Sequence, residues 1–349
     1  MQNNKIDLST YFDNSSTTFV SKDVADTIYE TFLNCDGNPS SLYDLGIRSE
    51  NLISSAKKTI ANAIDANEDE IFFTSGGTEA NNLAIIGVAQ AYQKRKIKII
   101  SSKIEHHSVI DCVKFLENTN FETVLVAPKE NGELPFDEIL KTIDNINRHY
   151  LFSFMLINNE TGLITDIEKL CKLIKQKAKN VIIHCDCVSA FGKYPISIKK
   201  LGVDILTISA HKIHGPKGVG AIYIKKSIRV VSRNIGGMQQ KGIRAGTEPV
   251  ALIAGFEKAT SNIMKNINEN IYYCTNLKNE FLKLIKDENY KINSIENSSC
   301  YILNLSTLKI NSETMLHFLE EKGFYISSGS ACSKGKKSHV LEAMNLQKN

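Results

Sequence analysis

No apolar run in these 349 residues approaches the roughly 20 that a bilayer span requires. No signal peptide is read at the start, so a soluble, cytoplasmic protein with reduced thiols is expected, with no membrane contact. The eight cysteines lack the spacing of a small secreted scaffold. Cys185-Asp186-Cys187 has no second pair near enough in sequence to complete a zinc site, and alternate strand residues face opposite ways, so no metal is expected. Charge of one sign is scarce too. The net charge is +4, and the lysine clusters at 199–200, 225–226 and 334–337 have no aromatic residues interleaved. They read as solvated surface, not as a nucleic-acid face. Internal repeats and low-complexity linkers are absent.

What the chain does have is alternation. Helical patterns at 21–33, 48–64, 79–92, 107–117, 137–143 and 166–176 are interleaved with apolar runs at 70–74, 98–101, 123–127, 150–157, 181–184, 204–208 and 220–224. Such alternation predicts an α/β fold with a mostly parallel sheet covered on both faces. Sites in such sheets lie at the carboxyl ends of the strands. From Glu248 a long helical pattern runs to about Leu284, and short elements after it read as a smaller α+β lobe.

One lysine stands out against this background. In Ser209-Ala210-His211-Lys212-Ile213-His214-Gly215-Pro216, Lys212 follows a buried strand and precedes a glycine-containing turn. Burying an unpartnered ammonium is costly. The same setting lowers an amine's pKa and suits it to form a Schiff base with an aldehyde. The aldehyde this suggests is pyridoxal phosphate, which also wants a carboxylate against its pyridinium nitrogen. Asp186, after the apolar run Val181-Ile182-Ile183, is placed to supply it.

Other segments at strand ends are suggestive only together. Ser75-Gly76-Gly77-Thr78 between strand and helix suits a phosphate, although Thr78 also suits a helix N-cap. His106, in Glu105-His106-His107, could stack on a planar cofactor and move a proton, or be an ordinary loop histidine. Asn159, in Asn158-Asn159-Glu160-Thr161-Gly162, could bond a phenolate or a substrate carboxylate, or make an Asx turn. Ser327-Ser328-Gly329-Ser330-Ala331-Cys332 reads as a small polar loop. Lysines at 334, 336 and 337 favour the Cys332 thiolate, the alternative being an inert surface thiol.

Taken in order, these segments, with Tyr11 to Thr18, Gly37 to Ser41, Gly236-Gly237 and Arg244 to Thr247, resemble the NifS/IscS-type cysteine desulfurases, class-V aminotransferase-like enzymes dependent on pyridoxal phosphate. The resemblance runs from about residue 9 to 345. It implies a fold type I aminotransferase-like architecture, with a large cofactor domain at 15–255 and a small domain formed by 1–14 and 256–349. It also implies roles. Lys212 would be the Schiff-base lysine, His106 the stacking histidine, and Asp186 the partner of the ring nitrogen. Gly77, Thr78, Ser209 and His211 would serve the phosphate, with Thr247 reaching a neighbouring subunit's site. Asn159 would sit near the phenolic oxygen, and Cys332 would attack the sulfur of L-cysteine. The products would be L-alanine and a persulfide on Cys332, passed by a homodimer to a protein acceptor for iron–sulfur clusters or thiolation. A selenocysteine lyase, another lyase or aminotransferase of the same fold, or an impaired cofactor-binding scaffold are the alternatives.

The chain departs from the family in three places. Ser189 stands where a glutamine commonly meets the phenolic oxygen, so that contact is lost or bridged by water. Tyr43 stands where histidine is usual. No arginine follows Arg244, whereas the family places one beyond this point to clamp the substrate carboxylate.

Overall fold

The strand-like runs do pair into one sheet. In the computed structural model, which describes residues 8–35, 37–285, 289–329 and 338–346, helices α1 (Lys22–Asn34) and α2 (Asp44–Ala63) precede β1 (Ile71–Thr74) and α3 (Gly77–Asn82). A π turn at Leu83–Gly87 carries α3 into α4 (Val88–Ala91). Next come β2 (Lys98–Ser102), α5 (His107–Asn118), β3 (Glu122–Val126), α6 (Phe136–Lys141), β4 (His149–Met155), α7 (Ile167–Lys177) and β5 (Asn180–Asp186). Then α8 (Ile198–Leu201), β6 (Ile205–Ser209) and β7 (Gly220–Ile224) complete the sheet. Helices α9 (Val250–Lys265) and α10 (Ile267–Leu284) lead to β8 (Tyr290–Ile292), β9 (Leu305–Thr307), α11 (Ser312–Glu321) and α12 (His339–Ala343).

The sheet order is β1-β7-β6-β5-β4-β2-β3, parallel throughout except for β7, which runs against both its neighbours. Successive strand residues point to opposite faces, and both faces are buried here. Phe73, Ile100, Phe152, Ile183 and Leu206 join one core, while Phe72, Ile99, Leu151, Ile182 and Ile205 join the other. That double burial is why the strands read as continuous apolar runs. Helices α3 to α5 contribute to the second core, and α2, α7 and α9 to the first. Beyond α9, β8 and β9 form a separate antiparallel pair, and α11 buries none of its residues.

Three helix boundaries differ from expectation. Helix α2 begins at Asp44 rather than Arg48, with Tyr43 at its N-cap and an acid in the first turn, which suits the helix dipole. Helix α3 begins at Gly77 because Gly76, at φ +154, makes the turn that starts it. The pattern from Glu248 to Leu284 is two helices, broken where Asn266 leaves helical geometry.

The register sets the site's depth. Met155, Asp186 and Thr207 are paired across β4, β5 and β6, and Thr74, Gly220 and Ser209 across β1, β7 and β6. A Cβ on Gly220 would lie 2.8 Å from the Gly76 Cα and 2.8 Å from the Ile208 carbonyl oxygen. Both neighbours are backbone atoms, so Gly220→Ala is expected to destabilise the protein by about 1–3 kcal/mol, the usual range for overpacking. Urea unfolding measures it, and an unchanged midpoint would refute this tight approach.

Candidate active site

Eight of the residues singled out in the sequence line one cavity of about 260 Å³ at the carboxyl ends of the strands: Gly77, Thr78, His106, Asn159, Asp186, Ser189, His211 and Lys212. Lys212 closes a short 3-10 turn directly after β6. Its Nζ donates to the carbonyl oxygens of Ser15 and, at 2.8 Å, Ser16, so the N-terminal segment forms one wall. His211 beside it is pushed down to about 4 by burial, with the charges of Lys212, Lys217 and Lys193 acting the same way. It is therefore a neutral imidazole at pH 7, and its Nδ1 lies 3.1 Å from the Thr17 Oγ1.

Asp186, the last residue of β5, is 5% exposed. Its Oδ1 accepts from the Val188 amide at 2.9 Å, and its Oδ2 from the Asn81 side chain at 2.7 Å. His106 is the N-cap of α5, and its Nδ1 accepts from the Ser108 amide at 3.1 Å. Burial lowers its pKa, assisted by Lys212, His107 and His339 and opposed by Asp186. Glu105 before it is fully buried. One of its oxygens accepts from the Ser102 hydroxyl at 2.5 Å, and the other has no partner. Burial, with a smaller contribution from Asp186, pushes this carboxyl up to about 8, so it is protonated at pH 7.

The adjacent asparagines divide the work. Asn158 makes the Asx turn, its Oδ1 accepting from the amides of Glu160 at 3.0 Å and Thr161 at 2.9 Å. Asn159 is thereby released from turn-making, and its buried Oδ1 has no partner. Thr78 lies inside the first turn of α3 and is not its cap. The glycine loop is held by Glu79, which accepts from the Ser75 amide at 2.7 Å and from Arg244 Nε at 3.0 Å. Burial pushes this carboxyl up, but those bonds outweigh it and hold it below the usual range. Arg244 is thus committed to an ion pair.

Ser209 ends β6 behind the glycine loop. Its Cβ would be 3.8 Å from a Cβ on Gly77, and its buried hydroxyl has no partner. Thr247 is exposed and does not line the cavity. Cys332 lies outside the described residues. Sequence reasoning missed Asn81 and Ser108, which also line the cavity. Asn81 stands three residues after Thr78 and so shares its helix face, a signal that was available.

Residues 10–346 match the model of the aminotransferase class-V family. The chain belongs to that family. It is 36% identical over 343 residues to the cysteine desulfurase IscS of Clostridium botulinum, covering 96% of this chain and 85% of that protein. The IscS of Dictyoglomus turgidum is 38% identical over 343 residues, covering 96% of this chain and 86% of its own length. Among solved structures, a NifS-like protein superposes with a TM-score of 0.91 at 32% identity, over 97% of this chain and 90% of that one.

Class-V aminotransferases use pyridoxal phosphate, and the residues fit it. Asn159 Oδ1 and Ser209 Oγ are buried acceptors or donors in want of a partner. Gly76 opens onto space that no protein atom fills within 4 Å of its would-be Cβ. A buried carboxylate and an amine face the same cavity.

Glu105 gives a pH test. Its proton is retained in the folded state up to about 8 but lost from an ordinary carboxyl near 4.5. The stability it contributes is full below 4.5 and declines as pH rises through 8. His211 and His184 have depressed values, so their contribution is complete above about 6.5 and adds no slope there. Stability of the cofactor-free protein should therefore fall between pH 6.5 and 8, by about 1–2 kcal/mol. Glu105→Gln should flatten that fall in urea titrations, and an unchanged slope would contradict the assignment.

Proposed function

We propose that this protein removes sulfur from L-cysteine, giving L-alanine and a persulfide on Cys332. The observation that carries the reading is the convergence of Lys212, Asp186, His106 and the glycine loop on one cavity in a class-V aminotransferase. The desulfurase names of the curated relatives support the choice of reaction. When bound, pyridoxal phosphate supplies an aldehyde and an electron-withdrawing ring.

The chain's own residues do the rest. Lys212 would hold the aldehyde group, and its amine is the group placed to move the substrate's α-proton. Asp186, fixed by two donors, keeps a proton on the ring nitrogen. Gly77, Thr78, Ser209 and His211 bind the phosphate at the start of α3, and Asn159 orients the phenolic oxygen and the substrate. His106, an imidazole whose pKa burial pushes down, would stack on the ring. The Cys332 thiolate attacks the substrate sulfur. The S–S bond forms as the C–S bond breaks, the C–S electron pair stays with the substrate carbon, and that carbon takes up a proton to give alanine.

The reading extends to a homodimer. Tyr29, Phe32 and Leu33 on α1 and Leu42 and Tyr43 just before α2 are exposed, as are Ile235 and Met238 in the segment before Thr247. An apolar face of that extent supports a second copy docking there, with Thr247 serving the partner's phosphate site. The persulfide passes to a protein acceptor in iron–sulfur or thiolation chemistry, in the cytoplasm. Among the described residues no helix is long and apolar enough to cross a membrane.

Cofactor-loaded protein given L-cysteine and a thiol reductant should release alanine and sulfide in equal amounts. Cys332→Ser should lose both while keeping the cofactor's visible band, and Lys212→Ala should lose the band. Alanine without sulfide transfer, or a band surviving in Lys212→Ala, would sink the assignment.

A further inference from the structure

Behind the cavity, side chains with no role in the reading above form one unbroken hydrogen-bonded run. At its centre is the Asn81 amide, 1% exposed. Its Nδ2 donates to Asp186 Oδ2 at 2.7 Å and to Ser108 Oγ at 2.8 Å, and its Oδ1 accepts from Thr207 Oγ1 at 2.6 Å. Both N–H donors are used and the oxygen accepts one bond, and the flipped amide would set its oxygen against the Asp186 carboxylate, so the amide has only one satisfactory orientation.

The proton positions follow outward from that centre. Thr207 has given its proton to Asn81, so toward His184 Nε2, 3.2 Å away, it can only accept. His184 therefore carries its proton on Nε2, and its Nδ1 accepts from Ser153 Oγ at 2.9 Å. Complete burial pushes His184 down to about 3, so this neutral tautomer persists throughout the working pH range. On the other side, Ser108 presents its amide at 3.1 Å and its hydroxyl at 2.8 Å to His106 Nδ1. An amide N–H only donates, so Nδ1 keeps its lone pair and the proton of His106 sits on Nε2.

We infer that Asn81 is a positioning residue that joins the His106 imidazole and the Asp186 carboxylate into one unit, turning the Ser108 hydroxyl proton toward the first and fixing the direction of the second. Ser108 is its link to the imidazole, and Thr207 with His184 hold the amide from behind. The role given to His106 and Asp186 toward the cofactor rests on the proposed function, whereas the network itself does not.

The decisive variant is Asn81→Asp. It preserves shape but sets two carboxyl groups in contact, and such a pair cannot both ionise. With one proton between them the variant can again donate to Asp186; with none it repels. The dissociation constant for pyridoxal phosphate, taken as a ratio to the unaltered protein at each pH, should be raised about tenfold or more at pH 8 and return to within about threefold at pH 6. A cavity or a packing defect would not recover with acid. A ratio that is flat with pH, or near one throughout, would overturn the inference.

The second arm needs no cofactor. In cofactor-free Ser108→Ala, the loss of a donor to Nδ1 should raise the His106 midpoint by about half a unit or more, read by NMR of ring-labelled histidine. The charged and titratable groups that face His106, namely Asp186, Lys212, His107 and His339, are left in place. An unmoved midpoint, or a His106 proton found on Nδ1 in the unaltered protein, would overturn the inference. If the unaltered protein bound no pyridoxal phosphate, the functional reading would fall, and the histidine arm alone would decide this one.

Discussion

A carboxyl group buried in a protein must be given hydrogen-bond partners, and much of this structure is arranged around that requirement at Asp186. Its two donors come from opposite directions, one from the backbone just past β5 and one from a side chain on α3. Satisfying it therefore fixes the distance between the helix that follows the glycine loop and the central strand of the sheet. The glycine loop inherits its position from the same constraint. So does α5, because Ser108 is bonded to the same Asn81 amide and in turn to His106. The site is a set of helix starts held against strand ends by polar contacts, above two dry cores.

How much of this the sequence discloses depends on how local each cause is. The strands were legible because β2, β4, β5 and β6 are buried on both faces and leave unbroken apolar runs. Lys212, Asp186 and the glycine loop were legible because each belongs to a short motif whose chemistry is self-contained. The partition between Asn158 and Asn159 was not, since two identical side chains in one turn give no hint as to which makes the turn. Asn81 was hidden for another reason. Its partners Ser108, Asp186 and Thr207 lie on three different elements, and only the packing of α3 over the sheet brings them together. The break at Asn266 was obscured because the helical pattern resumes in phase immediately after it.

The electrostatics of the cavity are uneven in a useful way. Lys212 lies beside histidines whose pKa values burial and neighbouring cations push down. Glu105, buried beside Asp186, is held protonated by that burial. Arg244 spends its charge on Glu79 and so braces the glycine loop from outside.

The close approach of Gly76 and Gly220 has a consequence for how this protein can change over generations. The two residues occupy a single small volume, yet they sit on the loop that starts α3 and on the sheet's one reversed strand, far apart in sequence. Gly220 cannot acquire a side chain while Gly76 and the Ile208 carbonyl stay where they are, and Gly76 is held to glycine by its backbone, at φ +154, and not by crowding. A lineage could escape only by shifting the reversed strand, which would also move its partners on β1 and β6. The pair is a mutual commitment across the chain: a residue on the reversed strand has no room for a side chain because of where the loop that starts α3 is laid.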